Sequence, residues 1–209
     1  MAYRRIEMCQ RSADIFEEYC AIFKRRWNMD REHVIDIGCV GKTLFAAEFK
    51  ETGPAAYINS VTLPIRNACY MAAKMETRWD TLRHFDIKEP VLDYGCGVGF
   101  QLLWMNRIGF NRLYGFELNG VQRDVMLEAF APHNIIPWSE GETVETILCC
   151  NVLEHLPHPV EELHRLRRFG KRIVANVCLD EEDEPHIAPM AARLECARLL
   201  KEWGGFYGS

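Results

Sequence analysis

The chain has 209 residues, 48% of them hydrophobic and 26% charged, with a formal net charge of −5 at pH 7. That length holds about one domain, or one and a half, at ~100–200 residues each, and it buries a core without disulfide or metal staples. The composition excludes global disorder, and the acidity speaks against a protein built to grip nucleic-acid phosphates.

Residues 1–87 read as a helical extension. The opening stretch through Phe16 lacks the apolar segment of a signal peptide, and no apolar run nears the ~20 residues of a membrane span, so a cytoplasmic setting is expected. Ser12 is placed to cap a helix ending near Trp27, with Ile15, Phe16, Tyr19, Ile22 and Phe23 spaced for one apolar face. Val34-Ile35-Asp36-Ile37 is strand-like, and Gly41 to Lys50 suggests a short helix stopped before Thr52-Gly53-Pro54. A third helix is expected from Arg66 to about His84. The nine cysteines are odd in number and scattered, with no C-x-x-C pair, so they read as reduced thiols rather than a disulfide framework or a metal site.

From residue 88 to 209 the pattern changes to alternating strands and helices. Strands are expected at 91–94, 112–116, 134–138, 146–150 and 172–178, with helices at 100–108, 121–130, 160–169 and 189–203. Such alternation with short connections predicts an α/β, doubly wound, mostly parallel sheet covered on both faces. Charge shifts at the same boundary: residues 1–89 carry 14 basic and 13 acidic side chains, residues 90–209 carry 11 and 17.

The strongest chemical signal is Asp93-Tyr94-Gly95-Cys96-Gly97-Val98-Gly99 at the end of the first strand. Glycines at alternate positions allow a sharp turn and a ligand lying against bare backbone. The dinucleotide fingerprint needs its third glycine one residue later, where Phe100 stands, which argues against a nicotinamide oxidoreductase. Asp93 would repel a pyrophosphate and welcome a cation, so the bend suits a cationic nucleoside. A loose copy, Val34 to Gly41, lacks one glycine, and Asp36 occupies the first glycine position of a phosphate loop. It reads as a decoy.

Asp93 to Gly99 resembles motif I of the class I, Rossmann-like S-adenosylmethionine-dependent methyltransferases. Leu113 to Glu117 resembles that family's second strand, Ile147 to Leu156 its fourth strand and "vLEH" loop, and Leu166 to Val174 the turn into its fifth strand. The resemblance implies S-adenosyl-L-methionine as cofactor. Contacts are expected at Asp93, Gly95, Cys96, Gly97, Gly99, Glu117, Leu118, Asn151 and Val152, with Glu117 on the ribose hydroxyls. Trp138, Ser139 and Glu140 sit where the family contacts adenine. His155 is the first candidate for a catalytic base, ahead of Glu154, His158 and His186, although a structural role at the helix entry, as a cap or hydrogen-bond partner, is the somewhat stronger reading. No metal is implied.

Several sequence features narrow the acceptor and the assembly. The loop after the fourth strand is Asn151-Val152-Leu153-Glu154, not the N/D-P-P-Y/F of DNA amino methylation, and no Pro-Cys dipeptide supplies a pyrimidine nucleophile. The implied function is methyl transfer to an O or N atom of a small-molecule acceptor. A protein or tRNA acceptor, or a catalytically silent cofactor-binding scaffold subunit, remains as an alternative. The family sheet has seven strands, and the residues after Cys178 are enough for a helix and one stub at Phe206-Tyr207, which leaves the sheet short. Residues 34–37 or a second copy in a homodimer are expected to cover the fifth-strand edge. Residues 1–87 are expected to form a lid. The acidic run 180–184 and the basic groups Lys24-Arg25-Arg26 and Arg165 to Arg172 read as solvated faces or helix ends, with ligand contact as the other reading.

Overall fold

The computed structural model describes residues 8–55, 60, 62–179 and 186–207; the acidic run 180–184 lies outside the described residues. Helix α1 (Gln10–Trp27) buries Ile15, Phe16, Tyr19, Ile22 and Phe23, the face that its periodicity predicts. It starts at Gln10 with Cys9 as N-cap residue, so Ser12 is a buried side chain inside the first turn instead of the cap. Asn28 ends it in the left-handed conformation, its N–H bonded to the Lys24 carbonyl. The Tyr19 hydroxyl donates to the Val98 carbonyl at 2.6 Å, and its ring stacks on Phe100 with centroids 5.7 Å apart, which fixes α1 over the glycine bend.

Helix α2 (Arg31–Thr52) is capped by the Asp30 side chain, which accepts from the His33 N–H at 3.0 Å. It absorbs both the expected strand 34–37 and the expected short helix 41–50. The correction has a packing cause. A Cβ on Gly38 would lie 2.3 Å from the Cys69 Sγ, and one on Gly41 would lie 2.9 Å from the Arg66 Cβ. The two glycines, three residues apart on one face, form a notch into which helix α3 (Leu63–Leu82) fits. Helix-on-helix burial there outweighs the strand preference of the β-branched run.

The second half follows the predicted order: β1 (Val91–Tyr94), α4 (Phe100–Arg107), β2 (Leu113–Phe116), α5 (Gly120–Phe130), β3 (Ile135–Pro137), β4 (Val144–Cys149), α6 (Pro159–Leu166), β5 (Gly170–Ala175) and α7 (Met190–Glu202). The five strands form one parallel sheet in the order β3-β2-β1-β4-β5. Asp93 pairs in register with Gly115 on one side and Leu148 on the other. The chain turns back across the sheet between β1 and β4, and the crevice beyond the strand ends at such a point is where ligands bind in α/β folds. One apolar cluster, with Phe16, Tyr19, Met75 and Phe100, covers one face; a second, with Leu92, Ile147, Leu163 and Leu200, covers the other.

The β5 edge is met by the chain's own C-terminal residues, not by residues 34–37. The Ala175 N–H donates to the Gly205 carbonyl at 2.8 Å, and the Tyr207 N–H to the Ala175 carbonyl at 3.2 Å. A Cβ on Gly205 would lie 1.7 Å from the Ile173 carbonyl oxygen, so glycine permits this approach.

Among the described residues, five of the basic groups form ion pairs. Arg25 and Arg26 both reach Glu128, Arg165 reaches Glu140 and Glu162, Lys171 reaches Glu145, and Arg172 reaches Asp86. Among the described residues no helix is long and apolar enough to cross a membrane, and none of the nine cysteines is disulfide-bonded.

The notch generates a prediction. Gly38→Ala gains up to ~1 kcal/mol of helix propensity but overpacks against a β-carbon fixed to the α3 backbone, which costs ~1–3 kcal/mol. The expected outcome is a lowered denaturation midpoint; an unchanged or raised midpoint in urea would remove the notch as the reason for this packing.

Candidate active site

The bend after β1 is held by its neighbours before any ligand is considered. The N–H groups of Gly95 and Cys96 both donate to the Phe116 carbonyl, at 2.8 and 3.0 Å. Gly95 and Gly97 have φ of 73° and 59°, the left-handed region in which glycine carries no penalty. A Cβ on Gly95 would meet Val152, and one on Gly97 would meet the Asn67 amide of α3. The glycines therefore admit side chains from β4's loop and from α3 up to the bend.

Glu117, at the end of β2, joins the parts. One carboxylate oxygen accepts from the Gly97 N–H at 2.8 Å and the other from the Asn119 N–H at 2.8 Å. Asn119 in turn caps α5 by accepting from the Gln122 N–H at 2.8 Å. A carboxylate offers about four acceptor positions, so Glu117 keeps acceptor capacity for a ligand beside its backbone bonds. Leu118, next in the chain, leaves its side chain 55% exposed.

Asp93 is 3% exposed at the end of β1. Burial, with some help from the charge of Glu117, pushes its carboxyl up to about 7, against the pull of the Arg78 guanidinium. Tyr94 stacks on Phe116 at 4.8 Å, and its hydroxyl donates to Glu162. Its ring thus braces the second apolar cluster.

Beyond β4, Asn151 is left-handed at φ 56° and locked by Asn176. The Asn151 N–H donates to Asn176 Oδ1 at 2.8 Å, and Asn176 Nδ2 donates back to the Asn151 side chain. The 3₁₀ turn Leu153–His155 follows. Burial raises the Glu154 carboxyl to about 7, opposed by backbone N–H groups and by Arg193 and Arg78. The His155 ring lies against His186 with centroids 5.4 Å apart, and His186 Nδ1 is 3.1 Å from Arg193.

These elements enclose a cavity of about 1130 Å³. Asp93, Gly95, Cys96, Glu117, Leu118, Asn151, Val152 and His155 all line it, as do Glu154 and His186. Gly97 and Gly99 do not. Gly97 lies beneath Asn67, and Gly99 faces the Phe130 ring, so both act through the shape of the bend. His158 is exposed outside the cavity, at the start of α6. Trp138 is away from it too, wedged edge-on between Phe116 and Phe169 with its indole N–H on the Glu142 carbonyl. Glu140 is paired with Arg165. The cavity also gathers residues that the motif reading passes over: Arg78 and Lys74 of α3, Asn176, Gln101 and Tyr207. The four-residue spacing of Arg66, Tyr70, Lys74 and Arg78 was the available signal for the α3 members.

The methyltransferase domain family matches residues 68–172, half of the chain. The tRNA U34 carboxymethyltransferase of Campylobacter hominis is 24% identical over 149 residues, 60% of this chain and 50% of that protein. An uncharacterised protein of Methanocaldococcus jannaschii is 33% identical over 106 residues, 47% of this chain and 46% of that one. The chain thus spans about half the length of the curated relatives it matches. Among solved structures, magnesium protoporphyrin IX methyltransferase from Synechocystis, with bound S-adenosylmethionine, aligns over 78% of this chain and 86% of that one at 19% identity and a TM-score of 0.48.

S-adenosylmethionine combines a sulfonium and an ammonium with a vicinal diol and an adenine. The cavity offers the buried Asp93 carboxyl for a cation, Glu117 with open acceptor positions for a diol, and the bare Leu118 side chain for a flat apolar face. The residues present fit that group. With the match over half its length and a site whose donor set suits S-adenosylmethionine as cofactor, the chain belongs to the methyltransferase domain family.

Proposed function

We propose that this chain transfers a methyl group from S-adenosylmethionine to an oxygen or nitrogen atom of a small-molecule acceptor. The observation that carries the reading is one cavity in which the strand-end acids Asp93 and Glu117, the Leu118 side chain and the loop after β4 face the same space. When bound, the cofactor supplies a methyl group on a positively charged sulfur that is already a good leaving group.

The chain's own residues do the rest. Asp93 faces the cationic end, Glu117 accepts the ribose hydroxyls, and Leu118 covers the base. Gly95 and Cys96 present bend backbone, Gly97 and Gly99 give the bend its shape, and Asn151 and Val152 form the wall beyond β4. Most of the acceleration is positioning, for which well-oriented reactions supply about 7–11 kcal/mol. His155 stands on the acceptor side of the cavity as the base that takes a proton from the incoming hydroxyl or amine, with His186 backing its ring. Residues 1–87 serve as the lid on the acceptor side, since α2 and α3 contribute Cys39, Tyr70 and Lys74 to the cavity wall.

A tRNA acceptor is the second reading, favoured by the Campylobacter relative, whose name states a tRNA substrate. The net charge of −5 favours the small molecule.

Three outcomes test this function. Glu117→Ala is expected to weaken S-adenosylmethionine and S-adenosylhomocysteine binding by at least ~1.5–3 kcal/mol in calorimetry, the range for hydrogen bonds to a charged group; undiminished affinity would remove the ribose assignment. His155→Ala is expected to lower turnover ~10²–10⁴-fold with cofactor affinity unchanged, and full activity would make the side chain structural.

Asp93 gives a pH dependence. The group must ionise to hold a cation, so S-adenosylmethionine affinity should rise with pH and level off above about 7, with one proton released on binding below that. Glu117, Arg78 and Cys96 share its surroundings, and Asp93→Asn should abolish the dependence if Asp93 is its source. In the unliganded protein the folded state holds this proton more tightly than the unfolded chain does. Its contribution to stability is therefore lost as pH rises from the ordinary carboxylate range towards 7.

A further inference from the structure

The helical wall of the cavity carries charge that a single cofactor molecule does not match. Arg66, Tyr70, Lys74 and Arg78 of α3 all line the cavity. Their spacing of four residues stacks them along one side of the helix. The acids of the same helix, Glu76 and Asp80, are exposed and do not line it. Across the cavity the strand ends and the loop after β4 present Asp93, Glu117 and Glu154. The cavity is therefore polarised, with carboxyl groups along the strand ends and cations along the helix.

Two of these cations make no direct bond. Among the described residues, neither Lys74 nor Arg78 makes a hydrogen bond or an ion pair. Arg78 is half-buried, and its charge faces Cys150, Tyr207, Tyr70 and Asp93. The Tyr207 hydroxyl beside it is buried and has no oxygen or nitrogen partner among the described residues. A sulfur, that of Cys150, is a poor acceptor for the Tyr207 hydroxyl, and the acids facing Arg78 make no direct bond to it, so a bound anion would improve on both. A guanidinium's planar fork matches a carboxylate or phosphate.

S-adenosylmethionine brings one carboxylate, whereas Arg66 to Arg78 spans about 18 Å at 1.5 Å per helical residue. The cavity's volume of about 1130 Å³ also exceeds the ~300–1,000 Å³ of a typical single-ligand site, which leaves room for a second molecule beside the first. We propose that the methyl acceptor is a small organic anion whose carboxylate or phosphate is seated on Lys74 and Arg78, with the Tyr207 hydroxyl as a further donor. The half-exposed Tyr70 ring, between the two ends of the basic stripe, gives the acceptor's carbon frame a surface to lie on. This assignment rests on the methyltransferase reading and names the substrate class of the same site.

The test uses the whole chain saturated with S-adenosylhomocysteine. It is titrated at fixed ionic strength with benzoate, with phenyl phosphate, and with benzamide as the neutral control. At least one anion should bind tenfold or more tightly than benzamide. Arg78→Gln should erase that preference and the exposed Lys74→Gln reduce it several-fold, with S-adenosylhomocysteine affinity weakened no more than twofold in either. Lys74 is a surface side chain, so its variant reads the site free of any folding defect.

Anions binding no more tightly than benzamide would overturn the proposal, as would a tRNA transcript binding saturably in their place. So would an Arg78→Gln variant that loses S-adenosylhomocysteine affinity tenfold but keeps its affinity for 5′-methylthioadenosine, since the guanidinium would then serve the cofactor's own carboxylate. Repeating the titration without S-adenosylhomocysteine separates the two readings. Anion preference that persists in a chain unable to bind S-adenosylhomocysteine would uphold the anion site and remove the methyl-donor reading.

Discussion

Glu117 spans the gap between the first two strands. One of its oxygens holds the N–H of Gly97 in the bend after β1, and the other holds the N–H of Asn119 at the entrance to α5. Asn119 then caps that helix. Burial raises the Glu117 carboxyl above its ordinary range, and the backbone N–H bonds oppose that rise because charge-assisted bonds favour the ionised form. The same two bonds set the distance between the bend and β2, and so fix the width of the crevice mouth. With the bend pinned, Val152 packs against Gly95 and Asn67 lies over Gly97, so β4's loop and α3 are placed relative to the same few atoms.

Burial raises the carboxyls of Asp93 and Glu154 as it raises that of Glu117. Asp93 and Glu154 are nearly inaccessible, and burial dominates the rise of each carboxyl towards 7. An empty cavity with three carboxyl groups along one wall is a place of poorly compensated negative charge near neutral pH, and the Arg78 guanidinium facing Asp93 and Glu154 supplies part of the compensation. A cation entering between the acids would displace some of that duty from Arg78. The guanidinium would then be more available to an anion, which couples a cationic ligand on the strand side to an anionic one on the helix side through a single residue.

How legible these features are in the sequence depends on how local each one is. Asp93 to Gly99 and Glu117 can be read because strand, bend and acid lie within short stretches whose residue types have few other uses. The five strands can be read because parallel strands buried on both faces are nearly continuous apolar runs, as Val91 to Tyr94 and Thr146 to Cys149 are. Val34 to Gly41 misleads for the opposite reason. Its β-branched residues and glycines match a strand and bend locally, and only the contact of Gly38 with Cys69 and Gly41 with Arg66 shows why a helix carries them. The Asn151–Asn176 lock joins residues 25 apart, and Tyr207 reaches the cavity because the C-terminal residues meet the edge of β5. The stub at Phe206-Tyr207 is legible as an apolar pair, but neither the Asn lock nor the reach of Tyr207 into the cavity is, since each partner acquires its role only when the sheet is assembled.

The basic wall depends in turn on that glycine notch. Helix α3 is held between α1, with which it shares the apolar cluster that buries Ala68, Ala72 and Met75, and α2, whose Gly38 and Gly41 let Cys69 and Arg66 approach closely. Side chains larger than hydrogen at either glycine would push α2 away from α3 or tilt α3 about its contact with α1. Either motion swings Lys74 and Arg78 relative to the strand ends, because all of them ride on one rigid helix. Residues in α2, most of which never face the cavity, therefore set how far the cations stand from the carboxyl groups. Two absent β-carbons in a segment that imitates a nucleotide-binding bend help determine the polarity of the real one.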